Sequence, residues 1–103
     1  MSFKNPNIGK YVIVRSYGAG VFFGKLKEQS KNCKIVVLNK CRRLWKWHAA
    51  DGIALSGVAM RGLIYDENTK VDIMTNNHVI TGVLEVIPCA DTAVKSIMEA
   101  NDD

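Results

Sequence analysis

The chain has 103 residues, 48% of them hydrophobic and 23% charged, with a net charge of +4; this is the make-up of one soluble globular unit with a modest core. No apolar run approaches a membrane span, and Met1-Ser2-Phe3-Lys4-Asn5-Pro6 is polar and broken by proline, so no membrane partner and a cytoplasmic location are expected. The three cysteines, Cys33, Cys41 and Cys89, are widely spaced with no Cys-x-x-Cys pair, which argues against a disulfide framework or a zinc site and for buried small apolar residues.

Residues 1–9 read as a loose arm leading into one β-rich domain that spans residues 1–103. Tyr11-Val12-Ile13-Val14-Arg15 is a β-branched run and reads as a buried strand. Tyr17-Gly18-Ala19-Gly20 is the turn, and Val21 to Lys27 the return strand, with a bulge or bend at Gly24. A phosphate loop normally opens a helix; Gly18-Ala19-Gly20 is followed by a strand, so it reads as a hairpin tip whose backbone can approach a ligand.

Glu28 to Asn32 is a polar turn, Cys33 to Leu38 a third strand, and Asn39-Lys40 a turn into a fourth strand that runs to His48. Ser56 is placed to cap a short helix near 57–61 that Gly62 ends. Lys70 to Met74 alternates as a half-buried strand, and His78 to Ile87 reads as a long strand bent at Gly82 and stopped by Pro88. From Asp91, the N-cap candidate, Ala93, Val94, Ile97 and Met98 fall at helical spacing, which predicts a C-terminal amphipathic helix over 91–100. The expected fold is mainly β: a small antiparallel barrel or sandwich with a short internal helix and a C-terminal helix.

Lys40-Cys41-Arg42-Arg43-Leu44-Trp45-Lys46-Trp47-His48 holds both tryptophans. In a strand, alternate side chains share a face. Cys41, Arg43, Trp45 and Trp47 then lie on one side, and Lys40, Arg42, Leu44, Lys46 and His48 on the other. A guanidinium beside flat rings suits a nucleotide, with rings stacking on the base and Arg43 gripping a phosphate. Equally, one or both tryptophans can fill the core, with the basic residues solvated at its edge. Tyr17, Gly18, Ala19 and Gly20 are second-choice contacts from the hairpin tip, and Arg42 is a contact where a second subunit approaches.

Charge is divided along the chain. Residues 1–48 carry eleven Lys or Arg against Glu28, a balance of +10, and residues 49–103 carry three against nine acids, a balance of −6. This suggests one positive and one negative surface, and contacts between copies of the chain. With the apolar stripe of the C-terminal helix, it predicts a homo-oligomer, dimer or tetramer.

Catalysis requires grouped nucleophile, base and stabilisers. His48 adjoins the tryptophans and His78 follows Asn76-Asn77, but no paired carboxylates or metal-ligand spacing accompany either histidine. A binding protein without catalytic residues, cofactor or metal is therefore expected, rather than an enzyme.

Gly9-Lys10-Tyr11-Val12-Ile13-Val14-Arg15, Tyr17-Gly18-Ala19-Gly20-Val21-Phe22, Arg42-Arg43-Leu44-Trp45-Lys46-Trp47, Leu55-Ser56 and Glu85-Val86-Ile87-Pro88-Cys89 resemble a family of small phage-encoded proteins over most of residues 9–98. In the family it resembles, Ala often stands where Cys41 does and an aromatic where Lys46 does, departures that leave Arg43, Trp45 and Trp47 in place. That family in turn resembles the anti-CBASS sponge proteins of the fourth type. The resemblance implies an oligomer in the host cytoplasm that sequesters a cyclic dinucleotide without cleaving it, for immune evasion. Two other readings stand beside it: a nucleic-acid-binding phage accessory protein, and a structural or protein-interaction module.

Overall fold

The computed structural model describes residues 5–18, 20–46, 58–60, 62 and 70–100, with the side chains of Trp45, Lys46 and Lys70 outside the description. The fold is mainly β, as expected. Its strands are β1 (Tyr11–Ser16), β2 (Gly20–Gln29), β3 (Val36–Lys46), β4 (Lys70–Val71), β5 (His78–Ile80) and β6 (Val83–Pro88). A helical turn, α1, covers 58–60, and the helix α2 spans Asp91–Met98.

All strand pairs are antiparallel, in the order β4-β3-β2-β1-β6, with β5 also on β3. β5 and β6 are the two halves of the long strand foreseen around Gly82. β5 pairs with β3 and β6 with β1, so the path β1-β2-β3-β5/β6-β1 closes into a small barrel. The corner is pinned on both sides: Tyr17 N donates to Gly82 O at 2.9 Å and Val83 N to Lys34 O at 3.0 Å.

Closure needs a sharp bend, and two bulges supply it. Phe23 pairs with Arg42 and Lys25 with Asn39, so Lys40 and Cys41 together oppose Gly24. Leu26 pairs with Leu38 and Glu28 with Val37, which leaves Lys27 as an extra residue on β2. A Cβ at Gly24 would lie 3.0 Å from Leu38 Cβ and 3.2 Å from Cys41 Cα, so the strands approach there as only glycine permits.

Several sequence expectations require correction. Asn39-Lys40 is no turn: Lys40 alone takes a left-handed φ of 50°, which kinks one continuous β3 without reversing it. Asn76 and Asn77 hold the kink, Asn76 Oδ1 accepting from Lys40 N and Asn77 N donating to Asn39 Oδ1, both at 2.9 Å. Cys33 lies in the preceding turn, half-buried, and Cys89 is also half-buried; only Cys41 is fully inside. Lys70 to Met74 forms strand only at Lys70–Val71. At the end of the arm Gly9 N donates to Leu26 O at 2.8 Å, and next to it Leu26 N donates to Lys10 O at 2.9 Å. Asp91 is the first helical residue, and Ala90 is the N-cap, without a side-chain bond. The Ser56 cap and residues 1–4 lie outside the described residues; Gly62 does end α1, its N–H donating to Val58 O at 2.8 Å.

Alternation along the strands feeds two cores. Val12, Val14, Phe22, Leu26, Val36, Leu38, Cys41 and Ile80 fill the barrel interior. Ile13, Phe23 and Leu44 face outward and are covered by Val58, Ala59, Val71 and Ile97, so α1 and α2 pack on the outer wall. Burial of the Val, Leu, Ile and Phe side chains among them contributes roughly 1.5–3 kcal/mol each.

Candidate functional site

β3 divides its two arginines between these cores. Arg42 lies opposite Phe23 on the helix-covered side and is 4% exposed. Its Nη1 donates to Ile97 O at 2.8 Å and Ala100 O at 2.7 Å, and its Nε to Asp72 O at 2.9 Å. The last carbonyls of a helix have no partner within it, and Arg42 supplies one, with a charge that opposes the negative helix end. Arg42, a candidate ligand contact by sequence, is thus engaged inside the chain as the anchor of α2.

Arg43 takes the other side. It lies opposite Phe22, with Cζ 4.9 Å from the centroid of that ring, close enough for a cation–π contact. The buried Phe22 ring also meets His78, at 5.3 Å between centroids and a 55° tilt. His78 Nδ1 is 2.8 Å from Thr75 Oγ1, and Thr75 bridges to the Cys41 backbone through N–H···O bonds of 2.7 and 2.8 Å. Burial pushes the Cys41 thiol up to about 11, against smaller lowering effects of the Thr75 hydrogen bond and the Arg43 charge. A chain of contacts thus runs from Arg43 through Phe22 and His78 to Thr75 and Cys41. Sequence spacing carries no signal for this grouping, because it arises from the register of strands distant along the chain.

The hairpin tip reaches the same end of the barrel. Val21 pairs with Leu44, which places Gly20 one step outward, beside the backbone of Trp45. Arg43 is two residues from that position, about 7 Å along the strand. Tyr17 is 82% exposed. Gly18 and Gly20 have φ of 79° and 106° with open space where a Cβ would stand, so glycine serves the backbone conformation there. The β2–β3 register thus places the hairpin tip of Tyr17, Gly18 and Gly20 toward the Arg43 end of β3. Ala19 and Trp47, with the Trp45 side chain, lie outside the described residues.

No helix among the described residues is long and apolar enough to cross a membrane. No curated protein and no solved structure matches the chain. A family match does extend over residues 9–97, to the domain of unknown function DUF6948. It spans every described strand and nearly all of α2, so the chain belongs to the DUF6948 family.

Proposed function

We propose that the protein binds a cyclic dinucleotide or similar phosphate-bearing nucleotide at the Arg43 end of the barrel and sequesters it without cleavage. In this reading it is a phage immune-evasion sponge that acts in the host cytoplasm as a homo-oligomer. The observation that carries it is the placement of Arg43, braced on the Phe22 ring, beside a hairpin tip that presents Tyr17 to solvent. Arg43 supplies a charge-assisted bond to phosphate, Tyr17 a stacking face, and Gly18 and Gly20 backbone that a ligand can approach closely. Trp45 and Trp47, which follow Arg43 in the sequence, are the further stacking residues of this proposal. Arg42 leaves the ligand set, because its donors hold α2.

Stacking contributes about 1–3 kcal/mol per base and each charged phosphate bond about 1.5–3 kcal/mol, which together suffice for submicromolar affinity. A thermal-shift screen against cyclic and linear dinucleotides tests the proposal. A rise in melting temperature with cyclic dinucleotides, returned unchanged after incubation, supports it. Absence of any shift, or binding only to long nucleic acid with a steep salt dependence, contradicts it.

A further inference from the structure

A second surface lies at the other end of the β2–β3 hairpin. Two neighbouring hollows of about 470 and 300 Å³ run along β2 and share Ile8 and Lys27 in their walls. The larger is lined by the aliphatic Ile8, Ile35 and Val37 together with Lys27, Glu28, Gln29 and Ser30, with Ile8 48% and Ile35 41% exposed. Lys25, Lys27 and Asn39 line the smaller.

The charge along this stretch of chain is mostly positive. Lys10, Lys25, Lys27, Lys31, Lys34 and Lys40 are all exposed within residues 10–40, where Glu28 is the one acid, and Lys25 and Lys27 line the hollows themselves.

We infer that this groove docks an extended acidic segment of a partner protein, with aliphatic side chains alternating with carboxylates. Three features select that chemistry. Consecutive hollows along one strand pair fit a chain laid lengthwise rather than a compact ligand. The aliphatic Ile8, Ile35 and Val37 take Leu, Ile or Val side chains, while Lys25 and Lys27 pair with Asp and Glu. The described lining is aliphatic and polar, which suits a peptide's side chains better than the base stacking by which single-stranded nucleic acid is held. A concave wall also fits a bilayer surface poorly. The site shares no residue with the Arg43 end and is independent of the nucleotide proposal.

Selection of short peptides from a random display library against the full chain tests this inference. The expected winners are rich in Asp and Glu interleaved with Leu, Ile or Val. Their affinity, read by fluorescence anisotropy, falls about tenfold or more in Lys25→Glu/Lys27→Glu and separately in Ile35→Ser, each keeping the parent's circular dichroism. No enrichment overturns the inference, as does enrichment of peptides without acids. Loss on charge reversal but not on Ile35→Ser also overturns it, by reducing the effect to unspecific attraction. A poly-dT oligonucleotide or a phosphatidylserine vesicle that binds through the same residues, with peptides failing to compete, assigns the groove to another partner and overturns it too.

Discussion

Arg42 and Arg43 are consecutive in β3 yet serve opposite sides of one wall: Arg42 donates to Ile97 O and Ala100 O at the end of α2, and Arg43 lies 4.9 Å from the Phe22 ring at the barrel end. The strand's two-residue alternation separates an anchor from a candidate ligand contact within a single dipeptide.

Arg42→Ala removes three hydrogen bonds from a buried charged group. It is expected to destabilise the fold by about 2–4 kcal/mol, measured by urea unfolding. Arg42→Lys should recover little, because an ammonium on a flexible stem does not reproduce the guanidinium fork. A variant as stable as the parent would show that α2 is held by Ile97 and its apolar neighbours alone.

Gly24→Ala places a methyl group 3.0 Å from Leu38 Cβ and 3.1 Å from Asn39 O, opposite the Lys40–Cys41 bulge. Both neighbours are fixed in β3, so a loss of about 1–3 kcal/mol is expected from overpacking. Unchanged thermal stability would mean that the bend is not tightly packed there.

The thiols offer a test of burial by pH. Burial raises Cys41 to about 11 and Cys89 to about 12 from an ordinary 9.0. The folded state favours the neutral thiol, so stability from these groups is fully present below pH 9.0 and declines as pH rises through the window up to about 11 and 12. Denaturation midpoints measured across that window should fall with pH, and replacing Cys41 by Ala should flatten part of the slope. At pH 8, iodoacetamide labelling followed by mass spectrometry should modify Cys41 and Cys89 slowly, because the thiolate is the reacting form.

Much of the fold was legible in the sequence, because the signals were local. The β-branched run at Tyr11, glycines at the tip, the Gly24 bend, the Gly82 corner and the helical period from Asp91 each depend on a few adjacent residues. The single long β3 was not legible: Asn39-Lys40 has turn composition, and only the bonds to Asn76 and Asn77, far along the chain, make it a bulge. The Arg42 role was hidden for the same reason, since α2 lies more than fifty residues away in sequence. Alternation did separate Arg42 from Arg43 correctly, but not what each would meet.

The most direct test of the nucleotide proposal is calorimetry of the parent, Arg43→Ala and Trp47→Ala with a panel of cyclic dinucleotides. The account predicts binding to the parent, and a loss of about 1.5–3 kcal/mol in Arg43→Ala, the range of a charged hydrogen bond, with the fold intact. If both variants stay folded and bind a cyclic dinucleotide as tightly as the parent, the Arg43 end is not the site.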